Sequence, residues 1–481
     1  MESDCDCGRF SPVSVVGSIF LSENDTIEDE KMSETNDPKV RQETPEERER
    51  RLRKQRLRRE ARRRRRRRAL LIRAALVIAA VALVIVLVII ISGRNRKHSG
   101  KEESKKENAE IQEEIPMETV DTQNVLHLSF LSLIADPDTA FGQENEQNSS
   151  VLDQSRLTVD EFNQILQQLY DQGYMLVSLT DLAEFGEEGV MTVKELQLPQ
   201  GKKPLLISQQ NVSYDLEYSG QGIASRLVID DNGKISSERM QSDGTIITGA
   251  FDIVPCVDAF IEEHPDFSHN GARGILGLTG YNGILGYRTE KALASSEGNK
   301  YASKYGVFDT TEETEAVKPI ITALKNEGWV FACNGYGNIS YASDLEKIKA
   351  DMQQWKNRVE SLLGEVNILI YPYGTDIEDE STYGSDNEKY TYLKNQGFRY
   401  FSAMNIGSSR TQTTEEYYRC NYKNLDGYRM YQDLYMGAGR FTGILDFVSV
   451  YDQSRPSVPA ENSEGDGGEK SNDDLQEKIG A

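Results

Sequence analysis

Residues 309–333 read DTTEETEAVKPIITALKNEGWVFAC, and they carry the clearest signal for the fold class of the chain. Asp309 and Glu312 stand where the first turn of a helix is expected, and Gly328 stands at its end. Between them the apolar residues recur at helical spacing: Val317, Ile320, Ile321 and Leu324. The apolar run 329–333 follows at once and is typical of a buried strand. A helix that leads directly into a strand is the repeating unit of an α/β fold.

The same alternation extends in both directions along the chain. On the N-terminal side the sequence predicts a strand at 125–134, a helix opened by a capping box of Thr158 and Glu161, and strands near 175–178 and 204–208. On the C-terminal side it predicts a long helix opened by Ser343 and Glu346 and stopped by Gly364, then strands at 366–371 and 398–403. Residues 123–455 are therefore predicted to form one α/β domain of βα units around a parallel sheet or barrel.

One segment of this domain departs from the βα alternation. Two short apolar runs, 227–229 and 234–235, flank Asp231-Asn232-Gly233, which is a typical hairpin turn. The region 209–250 is therefore predicted to be a β-hairpin insertion on the rim of the domain, where loops build binding sites.

A membrane-spanning segment precedes the domain. From Ala74 to Gly93, twenty consecutive residues carry no charge, and at about 1.5 Å per residue they match the ~30 Å hydrocarbon core of a bilayer. Residues 51–68 contain thirteen Lys and Arg, so the positive-inside rule places the N-terminus in the cytoplasm and the domain outside it. The sequence predicts an uncleaved signal-anchor helix at 69–93 in the cell membrane. A cleaved signal peptide fits so long a basic region less well.

The remaining segments are polar, with few aromatic residues, which is typical of disorder. They are the cytoplasmic tail 1–68, which ends in the Arg-rich run, the charged linker 94–122 and the C-terminal tail 456–481. Residues 1–93 hold 20 Lys and Arg against 15 Asp and Glu, so the rest of the chain holds 35 of the 55 basic and 63 of the 78 acidic residues. Such an acidic domain would repel nucleic acid, and we expect no nucleic-acid partner.

The order of several motifs in the predicted domain resembles the polysaccharide deacetylase (NodB-homology) family, carbohydrate esterase family 4. These motifs are PLLIS at 204–208, GWVFAC at 328–333, IYPYG at 370–374, and Arg419 followed by LDGYRM at 425–430. The stretch LTGYNGILGYRT at 278–289 resembles a membrane-anchored bacterial subgroup. The resemblance covers 123–455, and no single motif carries it. It implies a distorted (β/α) barrel with a groove at the C-terminal ends of its strands.

The resemblance also implies a chemistry. Active members of the family remove acetyl groups from N-acetylated sugars with a divalent metal such as zinc, which lowers the pKa of a water and polarises the amide carbonyl. They use an Asp-Asp pair after one strand, as base and metal ligand, and a His-x-x-x-His pair after a later strand as the other two ligands. A further His usually acts as general acid.

This chain departs from that pattern at each of these places. Gln210 and Asn211 stand where the Asp pair would fall, and Asn334 and Asn338 stand where the two His would fall. The first strand ends in Phe-Leu-Ser at 130–132, where relatives often have a His before the Ser. An amide is a weak, uncharged metal ligand and does not titrate near neutral pH, so it cannot replace a carboxylate base. The sequence therefore predicts no catalytic residue, no metal and no cofactor.

Two interpretations of the groove remain open. The four amides lie in motifs beside aromatic and basic residues: Tyr281, Tyr336, Tyr371, Tyr373 and Arg419. Amides that bind hydroxyl groups and tyrosines that stack on sugar rings would form a glycan-binding groove. Alternatively, the amides bond to one another, the tyrosines pack, and the groove is closed.

Other ionisable residues could rescue an active site. Asp215, Glu217 and Asp376 lie on predicted loops at the same end of the domain, although loop acids in an acidic domain are usually only solvated. His127 lies inside the first strand and is expected to be a buried residue held by a hydrogen bond rather than a ligand. His264 and His269 precede a strand, so we expect them at the opposite end of the barrel.

These observations lead to three functional hypotheses. The first is an inactive deacetylase-like domain outside a bacterial cell that binds cell-wall glycan or envelope proteins. The second is an active hydrolase of carbon-nitrogen, non-peptide bonds that deacetylates N-acetylated wall polysaccharide with an atypical residue set. The third is a purely structural outer domain whose signal lies in the cytoplasmic tail.

Overall fold

The computed structural model describes residues 116–142, 145–378, 381–404 and 411–456, all within one compact unit of the chain, residues 111–481. The predicted tail 1–68, transmembrane helix 69–93 and most of the linker 94–122 lie outside these residues, as does nearly all of the tail 456–481. No helix in the described stretches is both long and apolar enough to cross a membrane. The end of the predicted linker is part of the fold, since Met117–Thr119 forms a strand that pairs with Gln197–Pro199.

The strands are short, and most of them carry apolar residues. They are β1 (Met117–Thr119), β2 (Leu126–Phe130), β3 (Tyr174–Leu176), β4 (Ala183–Phe185), β5 (Met191–Val193), β6 (Gln197–Pro199), β7 (Lys203–Gln209), β8 (Arg226–Ile229), β9 (Ile235–Met240), β10 (Ile246–Gly249), β11 (Ile275–Leu278), β12 (Val330–Cys333), β13 (Ile368–Ile370), β14 (Tyr400–Ser402), β15 (Thr411–Thr413), β16 (Tyr418–Cys420) and β17 (Lys423–Asn424).

The helices alternate with the strands of the main sheet. They are α1 (Pro137–Phe141), α2 (Glu146–Ser155), α3 (Val159–Asp171), α4 (Leu179–Leu182), α5 (Ile253–Glu263), α6 (Ala302–Tyr305), α7 (Thr310–Glu327), α8 (Leu345–Trp355), α9 (Ser361–Leu363), α10 (Glu388–Asn395), α11 (Gly427–Tyr435) and α12 (Phe447–Val450). A π-helical turn, Lys356–Glu360, joins α8 to α9.

Local signals predicted several of these elements correctly. The capping box of Thr158 and Glu161 opens α3, with both of its hydrogen bonds formed. Asp309 caps α7, and Gly328 ends it with a left-handed φ of 99°. Any larger residue at 328 would be strained in this conformation, and its Cβ would also lie 2.3 Å from the carbonyl oxygen of Gly271. The long helix that follows starts after Asp344 rather than Ser343, and its cap makes no side-chain hydrogen bond.

The main sheet is curled and largely parallel, which confirms the predicted α/β class. Its strand order is β15-β16-β14-β13-β12-β11-β7-β2-β17, with β3 paired to β7 off this path. All of these neighbours are parallel except β15 and β16. Strand β16 pairs with β14, whereas β17, only two residues later, pairs with β2. Residues 418–424 therefore connect the two ends of the curl.

The two faces of the sheet contribute to different parts of the core. Successive residues of a strand point to opposite faces. On β7, Leu205 and Ile207 belong to the apolar cluster that includes Phe162 of α3. Leu206, between them, belongs to a second cluster with Ala332 of β12. The helices therefore cover one face of the curled sheet, and the sheet encloses its own apolar interior.

The predicted hairpin insertion is present. Strands β8 and β9 are antiparallel and paired from Arg226–Glu238 to Ile229–Ile235, around a turn in which Asp230 accepts backbone hydrogen bonds from Asn232 and Lys234. The sequence analysis missed a third strand, β10, which pairs with β9. Its residues alternate between exposed and half-buried, so its apolar pattern is weak.

Candidate functional site

The carboxyl ends of the parallel strands meet at one pocket of about 440 Å³. Most of the residues that line it lie at or just beyond the ends of strands of the main sheet. They are Leu131 after β2, Gln210 and Asn211 after β7, Tyr281 after β11, Asn334 and Asn338 after β12, Tyr373 and Thr375 after β13, Met404 after β14, Tyr422 between β16 and β17, and Asn424 at the end of β17. In βα folds these strand ends are where loops assemble binding and catalytic sites.

The rest of the pocket wall comes from helices and one loop. Helix α2 and the residue after it contribute Val151, Ser155 and Arg156, the loop after β7 contributes Asp215, Glu217 and Tyr218, and α11 contributes Tyr428 and Arg429. The wall therefore combines amides, tyrosines, two arginines and two carboxylates.

Gln210 is buried, and both ends of its amide are engaged. Its Nε2 donates to Ser129 Oγ at 2.8 Å, and its Oε1 accepts from the Tyr422 hydroxyl at 3.2 Å. Burial raises the pKa of Tyr422, so this hydroxyl remains a proton donor near neutral pH. Gln210 therefore links β2 to the stretch between β16 and β17.

Asn211 and Asn334 bond to each other across the end of β11, the strand that lies between β7 and β12. The backbone N–H of Asn211 donates to Asn334 Oδ1 at 3.0 Å, and Asn334 Nδ2 donates to the carbonyl of Ile370 at 3.0 Å. Asn211 Oδ1 accepts from Thr279 Oγ1 at 2.7 Å. Asn211 and Asn338 have left-handed φ values of 50° and 53°, which asparagine adopts more readily than most residues. Three of the four predicted amides thus hold the strand ends together.

The Asp215 side chain accepts four hydrogen bonds from other side chains. One oxygen accepts from Ser213 Oγ at 2.7 Å and Asn282 Nδ2 at 2.9 Å, and the other accepts from the Tyr281 hydroxyl at 2.6 Å and Asn211 Nδ2 at 3.2 Å. Burial and the charge of Asp215 hold the pKa of Tyr281 well above its usual range. Since each oxygen of a carboxylate has about two acceptor sites, Asp215 is committed to bonds that shape the loop.

The two arginines of the pocket differ in their partners. Arg429 Nη1 pairs with Asp426 Oδ2 at 2.5 Å, so its charge is balanced within α11 and its cap. Arg156 is only 7% exposed. It donates from Nη1 to Ser155 Oγ at 2.8 Å, and it makes no ion pair with any residue that the structure describes. Its guanidinium lies over the Tyr218 ring, 4.6 Å from the centroid.

Three predicted groove residues lie away from the pocket lining. Tyr336 donates to Glu290, which also pairs with Arg358. Tyr371 is fully buried, and its ring stacks on Phe401.

Arg419 is the third, and it points outward from the sheet. It lies in β16 between Tyr418 and Cys420, which face the apolar interior, so its own side chain is on the opposite face. There it pairs with Asp376 at 2.7 Å. Gln210, Asn211, Asn334, Asn338, Tyr281 and Tyr373 are the predicted residues that the structure brings together.

The three histidines among the described residues lie apart from this pocket lining. His127 is fully buried inside the curl, with Nε2 at 2.9 Å from Ser208 Oγ and Nδ1 at 3.2 Å from the carbonyl of Cys420. Burial lowers its pKa to about 4, so it is neutral near pH 7. His264 and His269 precede β11, at the amino end of the parallel strands, where His269 N–H donates to the carbonyl of Leu176.

The residues present do not fit the metal that the resemblance implies. Four amides stand where the resemblance implies carboxylates and imidazoles, and the side-chain oxygens of Gln210, Asn211 and Asn334 already accept hydrogen bonds. Metal sites of this kind rely on charged carboxylates or imidazoles. Within the described residues, no group of three or more His, Cys, Asp or Glu is placed to hold a metal ion. We therefore derive no reaction step through a metal.

Sequence reasoning missed the arginines and Tyr218. Tyr428 and Arg429 lie inside LDGYRM, a motif that carries the resemblance, but Arg419 was the predicted basic residue of the groove. Arg156 follows a polar helix that has no metal-ligand or catalytic spacing, so no signal in the sequence pointed to it. Only its position against Tyr218, far away in the chain, brings it to the pocket.

Comparison with known proteins finds distant structural likeness only. No family model matches the chain, and no curated protein matches it. A deacetylase from Streptococcus pyogenes, solved in complex with acetate, is 11% identical with a TM-score of 0.34, over 66% of this chain and 98% of that one. A polysaccharide deacetylase from Bacillus cereus is 11% identical with a TM-score of 0.33, over 66% of this chain and 69% of that one. At these TM-scores the likeness does not establish a family or an activity.

Proposed function

We propose that the described domain is a deacetylase-like module without deacetylase activity, which binds cell-wall glycan in the pocket at the strand ends. The observation that carries the proposal is the set of hydrogen bonds made by Gln210, Asn211 and Asn334. These amides stand where the resemblance implies a base and metal ligands, and their hydrogen bonds hold the strand ends in place. The pocket nevertheless stays open, at a size that suits a small ligand.

The open wall of the pocket is suited to sugars. Tyr281 and Tyr373 are half-buried, so part of each ring faces the pocket. Aromatic rings stack on the apolar faces of sugars, and the amide of Asn338 and the carboxylate of Glu217, which also line the pocket, are groups that bind sugar hydroxyls. In the proposed arrangement the anchor helix at 69–93 holds the domain at the outer surface of the membrane, beside wall glycan. Envelope proteins are the other class of partner that this location would offer.

The active-hydrolase alternative would rest on Glu217, whose carboxylate is exposed at the pocket wall and has no hydrogen-bond or ion-pair partner among the described residues. Asp215 already accepts four side-chain hydrogen bonds. A general base needs an acceptor site directed at the proton that it removes. Asp376 is paired with Arg419 instead of lining the pocket.

The full chain, purified in detergent, tests the lack of activity directly. After incubation with zinc, cobalt or nickel, we expect less than stoichiometric metal by mass spectrometry and no acetate released from N-acetylglucosamine oligomers. Stoichiometric metal together with turnover would overturn the proposal. Mutation of Asp215, Glu217 and His127 would then identify the atypical residues.

Glycan binding is expected to depend on Tyr373. Replacing Tyr373 by alanine should weaken binding of N-acetylglucosamine oligomers about 5- to 10-fold, because one aromatic contact contributes about 1 kcal/mol. Calorimetric titration of the full chain measures this change. The matched control is Tyr435→Ala, which removes a tyrosine that is 65% exposed and outside the pocket lining. Equal affinities for wild type and both variants would place glycan binding elsewhere.

A further inference from the structure

Arg156 makes no ion pair with any residue that the structure describes. Four of the five other buried arginines in the described structure have carboxylate partners: Arg239 with Asp136, Arg419 with Asp376, Arg429 with Asp426, and Arg455 with Asp153 and Glu161. Arg288, also buried, donates to three backbone carbonyls instead. Arg156 is only 7% exposed, and its Nε has no hydrogen-bond partner among the described residues. Burying a charge without a partner is costly.

Arg156 is held in place both at its backbone and at its guanidinium. The Tyr218 ring lies 4.6 Å from it on one side. The backbone of Arg156 is fixed by Arg455, whose Nη2 donates to the Arg156 carbonyl at 2.7 Å. A planar, pre-positioned guanidinium binds a carboxylate through two parallel hydrogen bonds with little loss of entropy.

The charges around Arg156 restrict the anion that it can take. Asp215 and Glu217 line the same pocket, so a dianion such as phosphate would meet repulsion from two carboxylates. A single carboxylate on an otherwise uncharged, hydroxyl-rich ligand would meet less repulsion and could still stack on the tyrosines.

We infer that Arg156 is a carboxylate-binding residue and that the pocket takes an acidic sugar, one that carries a carboxylate on its ring or on a short substituent. The sugar part of this inference rests on the proposed glycan binding, whereas the carboxylate part does not. Arg156 then sets specificity: a neutral glycan leaves its charge unpaired, and an acidic glycan neutralises it.

The test compares two glycans that differ only in charge. Hyaluronan tetrasaccharide and the same tetrasaccharide with its carboxyl groups reduced to alcohols are titrated into the full chain in detergent by calorimetry. We expect wild type to bind the acidic form at least tenfold more tightly, as charge-assisted hydrogen bonds predict. Arg156→Gln should reduce this preference to less than twofold, and Arg156→Lys should reduce it partly, since lysine keeps the charge but loses the planar fork.

The control variant is Lys318→Gln, which removes one positive charge from the exposed surface of α7, where Lys318 pairs with Glu315. It should keep the full preference for the acidic glycan. If Lys318→Gln lowers the preference as much as Arg156→Gln does, net charge explains it and the inference fails. Thermal unfolding of each variant shows whether it is folded. If Arg156→Gln does not fold, the partial loss of preference expected for Arg156→Lys still tests the inference.

Small anions separate this inference from the proposed function. Lactate and inorganic phosphate are titrated into wild type and Arg156→Gln and followed by ligand-observed NMR. Binding of lactate to wild type only, with neither tetrasaccharide bound, would overturn the glycan proposal and uphold the carboxylate site. Equal affinity of wild type for both tetrasaccharides would overturn the carboxylate site and leave glycan binding intact. Tighter binding of phosphate than of lactate, or no binding of any probe, would also overturn the carboxylate assignment.

Discussion

Replacing Arg455 by alanine is expected to lower the free energy of unfolding by about 3–5 kcal/mol, because it leaves buried carboxylates without their partner. The Arg455 side chain is 1% exposed. Its Nε and Nη2 donate to the two oxygens of Glu161, each at 2.7 Å, and its Nη1 donates to Asp153 Oδ1 at 2.7 Å. Glu161 is fully buried, and burial raises the pKa of Asp153 against the opposing charge of Arg455.

Urea denaturation followed by tryptophan fluorescence measures the loss, since the only two tryptophans of the chain, Trp329 and Trp355, are both buried. The control is Arg440→Ala, at a half-buried position whose side chain makes no ion pair in the described structure. The double variant Arg455→Met, Glu161→Gln removes both charges and should recover part of the loss. If Arg455→Ala lowers the free energy of unfolding by less than about 1 kcal/mol, the prediction is wrong, and water solvates the carboxylates of Glu161 and Asp153 in the variant.

His127 is expected to make the protein less stable as the pH falls from 6.5 to 4. Its pKa is lowered by burial from 6.5 to about 4, so in this window the unfolded chain binds a proton that the folded chain does not. The contribution of neutral His127 is therefore complete above pH 6.5, declines as the pH falls, and is lost below about pH 4. The difference between the two pKa values corresponds to about 3 kcal/mol.

The measurement compares wild type with His127→Gln at pH 7 and at pH 4.5. Buried acids act in the opposite direction in the same window, because burial raises the pKa of Asp258 to about 7. The prediction therefore concerns the difference between the two proteins: wild type should lose more stability than the variant on acidification. A parallel pH dependence of the two would show that His127 keeps its ordinary pKa in the fold.

The α/β class was predictable because its signals are local. The spacing of Val317, Ile320 and Leu324 and the glycine at 328 are properties of neighbouring residues, and α7 and β12 follow from them. The ends of α8 were harder to place, since Asp344 caps it without a side-chain bond and a π-helical turn continues it. Strand β10 was missed because its half-exposed residues show no clear apolar pattern.

The candidate site was predictable only where its residues directly follow strands. Gln210, Asn211 and Asn334 could be placed from their motifs, since residues after parallel strands meet at one edge of a sheet. The choice between Arg419 and Arg429 could not be made, because it depends on which face of β16 and of α11 points to the pocket.

The sequence by itself determined the α/β class and which amide residues follow the strand ends. The tertiary structure alone decided which charges have partners. Arg455 reaches Glu161 across 294 residues, and Arg156 meets Tyr218 from a different loop. A charge is stabilised by the groups within a few ångströms of it, not by its neighbours in the chain. Only the folded chain therefore shows that Arg455 is neutralised within the fold and that Arg156 makes no ion pair with the described residues.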